Sequence, residues 1–205
     1  MENNEILNES ISDLFKNNYD DSLIKDNKIC FTINEQLYRV RMPNQGEQSL
    51  TEYKKNLAQL EYLKQEGCIT RSQLIRQLKL NNVIDIEHLE DLKENLSKEL
   101  KRFWFLLATK DSGDKTKILE YSENIKKIQE SLQKLSMDMA FHLSPSLESR
   151  LEKFYVEYIT FICTEHHPNS EWKKVWEALE DFNKADTSLT NKAIANMTWL
   201  LLNRR

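Results

Sequence analysis

Apolar residues recur at alternating spacings of three and four in the middle of the chain, and this pattern constrains the fold more than any other feature. A repeat of 3.5 residues is the spacing that side chains need when one helix lies along another. The apolar positions are Ile118, Tyr121, Ile125, Ile128, Leu132, Leu135 and Met139. Charged residues such as Lys126 and Lys127 lie between them. The spacing predicts a long helix that packs along a second one.

The segment just before it supplies the second helix. Its apolar positions are Ile86, Leu89, Leu92, Leu96, Leu100, Phe103 and Leu107. In the connection at residues 111–114, Gly113 can end the first helix and Asp114 can cap the second. Because so short a connection makes neighbouring helices antiparallel, we expect an antiparallel helical hairpin, of coiled-coil type, over residues 86–141.

Residues 28–85 have a different spacing of apolar residues and are expected to form a β-hairpin followed by short helices. Period-two alternation from Lys28 to Met42, on both sides of Asn34-Glu35, predicts two strands and a turn. Capping-box pairs then predict helices that begin at Ser49 and at Thr70, while Asp85 caps the long hairpin. The first of these helices is expected to bury its large apolar residues, which are Tyr53, Leu57, Leu60 and Leu63.

Residues 142–205 are expected to form a C-terminal helical layer. Ser144 and Pro145 are expected to start one helix, Ser170 caps another that carries Trp172 and Trp176, and a last helix follows. The helix over residues 147–162 is apolar on more than one face. It is therefore either sandwiched between other helices or in contact with a partner chain.

Residues 1–27 are predicted to be an N-terminal arm and linker. Residues 1–18 carry a helix-like apolar stripe that either docks on the body or folds on a partner. Together the patterns predict a mainly α protein with a small β-hairpin. The expected regions are 1–27, 28–85, 86–141 and 142–205.

Composition narrows the classes of function. The 205 residues include only three Gly, which leaves little room for loops that cradle phosphate, and the net charge of −4 does not favour nucleic acid as a partner. Three scattered Cys indicate a reducing compartment. We find no apolar run long enough to span a membrane and no basic start typical of a signal peptide, so we expect a soluble, unsecreted protein.

No motif predicts catalysis, a cofactor or a metal. Cys163, Glu165, His166 and His167 cluster in sequence, but one short peptide cannot supply the converging ligands that zinc needs. The Gly113-x-Lys115-Thr116 segment lacks the upstream Gly and the preceding strand of a phosphate-binding loop. We therefore expect a protein that is not an enzyme.

A DNA-binding or regulatory function is the alternative. Residues 49–80 are expected to form a helix, a short turn and a second helix, which is the order of a helix-turn-helix. The segment is locally basic because of Lys64, Arg71, Arg76 and Lys79. Two short helices joined by a capped turn are, however, also a common way to build a small helical layer.

The run from Phe31 to Pro43, which ends in Tyr38-Arg39-Val40-Arg41-Met42-Pro43, resembles the opening of small proteins from the tail-morphogenesis regions of tailed bacteriophages. In layout the resemblance covers roughly residues 29–182, although the Asn-rich start and the residues after Phe182 depart from it. It implies a tail assembly chaperone or tail component that binds proteins. It also makes Tyr38, Arg39 and Arg41 candidates for partner contacts.

Aromatic residues suggest where a partner binds. The first arm of the hairpin ends in five consecutive large apolar residues, which one neighbouring helix cannot cover. The predicted partner-binding residues are Trp104, Phe105, Tyr155 and Tyr158, together with Tyr38, Arg39 and Arg41. We expect an oligomer that meets a tail protein or copies of itself, in the host cytoplasm or the virion.

Overall fold

A computed structural model describes residues 24, 25, 27–109, 115–168 and 171–203. The predicted fold class is confirmed: the protein is mainly α-helical with a small antiparallel β-sheet. The chain divides into two compact units, one from the described parts of Met1–Glu66 and Leu151–Arg205 and the other from Gly67–Arg150. The predicted N-terminal stripe and the 111–114 connection lie outside the described residues.

The first unit is built on an antiparallel five-stranded sheet in the order β1-β2-β3-β4-β5. The strands are β1 (Ile24–Lys25), β2 (Lys28–Ile33), β3 (Gln36–Arg41), β4 (Thr164–His166) and β5 (Lys173–Lys174). The predicted turn at Asn34-Glu35 joins β2 to β3, and both residues have positive φ, 48° and 64°. Two positive φ values in a two-residue loop give the twist that antiparallel strands favour.

The helices that complete this unit are α1 (Gln45–Leu63), the part of α5 (Leu147–Cys163) from Leu151 onward, α6 (Leu179–Lys184) and α7 (Thr187–Leu202). Alternate strand residues, among them Phe31 and Val40, lie buried in one core with residues of α5 and α7. The β-hairpin and the C-terminal helices, which were predicted as separate regions, share this core.

The second unit contains α2 (Arg71–Leu80), α3 (Ile86–Ala108) and α4 (Lys115–Leu143). Ile86, at the start of α3, packs in one cluster with Leu135, Met139 and Leu143, near the end of α4. At the other end of the helix pair, the ring of Phe103, near the end of α3, lies 6.0 Å from the ring of Tyr121, near the start of α4. These contacts make α3 and α4 antiparallel, as predicted. Coiled-coil packing itself remains a prediction.

Several local predictions were wrong. Helix α1 begins at Gln45, because Asn44 and Glu47 form a capping box whose first residue lies five residues before Ser49. The Ser146 hydroxyl accepts the N–H of Ser149, so the helix start assigned to Ser144 and Pro145 lies two residues later.

The helix expected after Ser170 is also absent from the described residues 171–178. Lys173 and Lys174 form β5, and helix begins again only at Leu179. The edge of β3 needs hydrogen-bond partners, which residues 164–166 supply, and β5 extends the ladder.

The largest correction concerns α1. Its large apolar residues do not face the protein, since Leu50, Tyr53, Leu57 and Leu60 are between 38% and 58% exposed. The buried residues of this helix are Thr51 and Ala58. Spacing reveals that a helix has an apolar face, but the neighbouring elements decide which face is covered.

Candidate functional site

Four charged side chains meet on one face of the sheet in the first unit, and we call them the Arg–Glu cluster: Arg39, Arg41, Glu47 and Glu165. Arg39 and Arg41 are two residues apart on β3, so both lie on the face opposite the core residues Tyr38 and Val40. Glu165 pairs directly with Arg39 across the β3–β4 ladder. Glu47 reaches the same place from the first turn of α1.

The geometry of the cluster is that of a closed ion-pair network. Arg39 Nε donates to Glu165 Oε2 at 2.5 Å, and Arg41 Nε donates to Glu165 Oε1 at 3.0 Å. The other two guanidinium nitrogens of Arg41 bind both carboxylate oxygens of Glu47, at 2.8 and 2.7 Å. A bidentate pair of this kind is among the stronger ionic contacts in proteins.

The cluster shifts the pKa values of its members. Hydrogen bonds from Arg41 lower the pKa of Glu47, and the favourable contact raises that of Arg41. Burial alone would raise the pKa of Glu165, but hydrogen bonds from Arg41 and Arg39 outweigh it and lower the pKa. Both carboxylates are therefore ionised at neutral pH.

Cys163 lies beneath this cluster and is not a plausible nucleophile. Its Sγ lies 3.9 Å from both an Arg41 nitrogen and a Glu47 oxygen. Burial, followed by the charge of Glu47, raises the pKa of the thiol to about 12. Since the thiolate is the reactive form, the side chain is inert at neutral pH.

Arg39 also contacts an aromatic pair. Its guanidinium carbon lies 4.1 Å from the ring centre of Trp172, and the ring of His167 lies 4.7 Å from the same indole. This stacking places Trp172 beside Arg39 of β3 and just before β5, rather than in the helix predicted for it. Three of the candidate metal ligands, Cys163, Glu165 and His167, thus have other contacts, and the described residues include no group of three that could hold an ion. That the protein binds no metal stays a prediction.

The Arg–Glu cluster has a clear structural consequence. Glu47 also accepts the backbone N–H of Asn44 at 2.9 Å, so one carboxylate both caps α1 and joins it to β3. Farther along, Lys55 lies 5.4 Å from the ring centre of Tyr155, while Glu47 lies beside Cys163. The two contacts place α1 antiparallel to the end of α5. The cluster therefore fixes which face of α1 points outward.

The predicted partner-binding residues have different surroundings. Tyr38 and Tyr158 are buried in the core of the first unit, and Tyr155 is half-buried against it. Arg39 and Arg41 are occupied by the cluster. Of the aromatic residues in the second unit, Trp104 is half-buried and Phe105 is 66% exposed. Phe105 is thus the most accessible residue of the predicted set.

Further exposed apolar residues lie on the hairpin of the second unit. Leu119 of α4 is as exposed as Phe105, and it lies at the same level of the hairpin because Phe103 contacts Tyr121. Toward the other end of α4, Met137 and Phe141 are 64% and 76% exposed and one turn apart. We call these four residues, Phe105, Leu119, Met137 and Phe141, the exposed hairpin residues.

The basic charge on which a helix-turn-helix would depend is partly neutralised. On α2, Arg71 pairs with Glu90 at 3.1 Å, and Lys79 pairs with Asp85 at 3.2 Å and also with Glu87. Gln73 accepts the Thr70 N–H in the capping box. These contacts occupy side chains that a recognition helix would direct toward DNA.

Within the part of the chain that the structure describes, no helix is both long enough and apolar enough to cross a membrane. Comparison of the chain with protein-family models, with curated proteins and with solved structures found no match.

Proposed function

We propose that this is a non-enzymatic protein that binds another protein during phage tail assembly, either as a chaperone or as a structural component. The observation that carries the proposal is the exposure of the four hairpin residues, each of which leaves more than 60% of its surface in solvent. Single exposed apolar residues are ordinary, but four large ones on a single pair of helices favour contact with a partner.

The setting in tail assembly is supported by the resemblance of residues 31–43 to phage tail-morphogenesis proteins. In the host cytoplasm, such a protein would hold a partly folded tail protein by its apolar segments. A structural component would instead keep the same contacts in the virion.

Affinity capture from infected cells, followed by binding assays between the purified pair, tests the proposal. We expect a tail protein to bind the wild type, and the double variant Phe105→Ser/Phe141→Ser to bind at least tenfold more weakly. Lys127→Ala, on the exposed polar side of α4, is the matched control and should bind like the wild type. Failure of the purified protein to bind any tail protein, or equal binding by the double variant, would contradict the proposal.

A further inference from the structure

The outward face of α1 has the spacing of a helix-pairing surface. Leu50, Tyr53, Leu57 and Leu60 follow one another at intervals of three, four and three residues. These are successive a and d positions of a heptad repeat, and we call the four residues the α1 stripe. All four are substantially exposed, although the helix is anchored at its first turn by the Arg–Glu cluster.

We propose that the α1 stripe is a homodimer interface in which two copies of α1 pair in parallel. Each copy presents a preformed helix, so no ordering of the backbone opposes the pairing. Like residues then meet in four layers, from Leu50 to Leu60, over about 15 Å of helix. This dimer involves the first unit and does not depend on the proposed function of the hairpin.

The charges beside the stripe select the parallel arrangement. In a parallel pair, Ser49 faces Lys54 of the second copy and Asn56 faces Glu61, so no like charges meet beside the layers. In an antiparallel pair that matches a with d positions, Lys54 lies beside Lys54 of the second copy. Glu61 lies beside Glu47, but the charge of Glu47 is already paired with Arg41, so the repulsion comes from the two lysines. The antiparallel pair is therefore destabilised by repulsion.

The small area of the α1 stripe determines how strongly the two copies are expected to associate. Four partly exposed side chains offer far less than the roughly 800 Å² per partner of a standard stable interface. We therefore expect a weak, reversible dimer that forms at micromolar or higher concentrations, rather than an obligate one.

Sedimentation velocity from about 1 to 200 µM tests the association. The wild type should change from monomer to dimer, while Leu57→Glu should remain monomeric with an unchanged circular-dichroism spectrum and melting temperature. Gln59→Glu adds the same charge at an exposed position away from the stripe and should dimerise like the wild type. A wild type that is monomeric throughout, as when residues 1–23 cover the stripe, would overturn the proposal, and so would a dimer of Leu57→Glu.

A cysteine cross-link tests the direction. With Cys30 and Cys68 replaced by Ser, Leu50→Cys should form a disulfide-linked dimer on mild oxidation, because residue 50 meets its counterpart only in the parallel pair. In the antiparallel pair the two residues are about 15 Å apart, beyond the reach of a disulfide. Dimerisation without this cross-link would overturn the parallel arrangement.

The dimer and the proposed function can be tested separately. Leu57→Glu leaves the exposed hairpin residues of α3 and α4 unchanged, so whether this variant captures a tail protein reports on the proposed function alone.

Discussion

At the scale of single residues, the carboxylates of the Arg–Glu cluster make stability depend on acid pH. Because the pKa values of Glu47 and Glu165 are lower in the folded protein, their contribution is fully present above the ordinary Glu value of 4.5. It is lost as the pH falls through the lowered, folded values. The free energy of unfolding should therefore decrease below about pH 4.5.

Glu47→Gln isolates one part of this effect. The variant should be less stable than the wild type by roughly 1–2 kcal/mol at pH 7, because Arg41 loses a bidentate charged partner. The difference should shrink at pH 3, because the stabilisation that comes from a lowered carboxylate pKa declines once the pH is below the ordinary Glu value of 4.5. Urea titrations at both pH values measure it, with Glu52→Gln on the exposed side of α1 as a control that changes little at either. An equal difference in unfolding free energy at both pH values would contradict a stabilising ion pair between Arg41 and Glu47.

Asn196 presents the opposite case, a buried polar side chain without a hydrogen bond. It is 1% exposed in α7, and among the described residues neither its amide nitrogen nor its oxygen has a hydrogen-bond partner. Burying such a group without a partner costs about 1–3 kcal/mol, which offsets what its packing contributes.

We expect Asn196→Ala to change the free energy of unfolding by less than about 1 kcal/mol, because the lost packing and the removed desolvation cost oppose each other. The neighbouring Met197→Ala, which only removes packing, should cost about 2–5 kcal/mol. Chemical denaturation compares the two. If both variants lose the same stability, the amide has a stabilising partner after all.

At the scale of elements, the β2–β3 turn carries backbone strain that glycine relieves. Glu35 has φ +64°, a left-handed conformation that costs a residue with a side chain about 1 kcal/mol. Glu35→Gly should therefore stabilise the protein by up to about 1 kcal/mol, measured by urea denaturation. Thr32→Gly, inside β2, is the control and should destabilise it. A loss of stability in Glu35→Gly would show that the side chain matters more than the turn.

The α3–α4 hairpin depends on its buried seam. Ile128 is buried in α4, whereas the adjacent Lys127 is exposed. Ile128→Asp places a charge in an apolar contact and should cost several kcal/mol. Lys127→Ala should change stability by less than about half a kcal/mol. Thermal melting of the two variants measures the difference, and equal melting temperatures would refute the assignment of the seam.

At the scale of the whole molecule, the protein is expected to fold without a metal. The described residues hold two apolar cores, and Glu165, which was one of the candidate ligands, is committed to two arginines. Elemental analysis of the purified protein should find no stoichiometric zinc, and chelators should leave the melting temperature unchanged. About one zinc ion per chain would contradict this prediction.

The sequence by itself determined the elements whose signal is local. The 3.5-residue repeat predicted α3 and α4, period-two alternation predicted β2 and β3, and the Thr70–Gln73 capping box marked the start of α2. Each of these follows from side chains a few residues apart, so spacing is sufficient evidence. The same local reasoning made Phe105 a candidate partner contact, because a run of five large apolar residues exceeds what one neighbouring helix can cover. Its side chain is exposed, and the contact itself stays a prediction.

Only the tertiary structure decided the features that join distant segments. Glu47 and Glu165 meet Arg41 across 6 and 124 residues, and no spacing rule predicts the second contact. The strand at Thr164–His166 exists because β3 has a free edge beside it. The outward orientation of the α1 stripe has the same origin: periodicity gives a helix an apolar face, but contacts of its other face with the sheet and α5 decide which side remains in solvent.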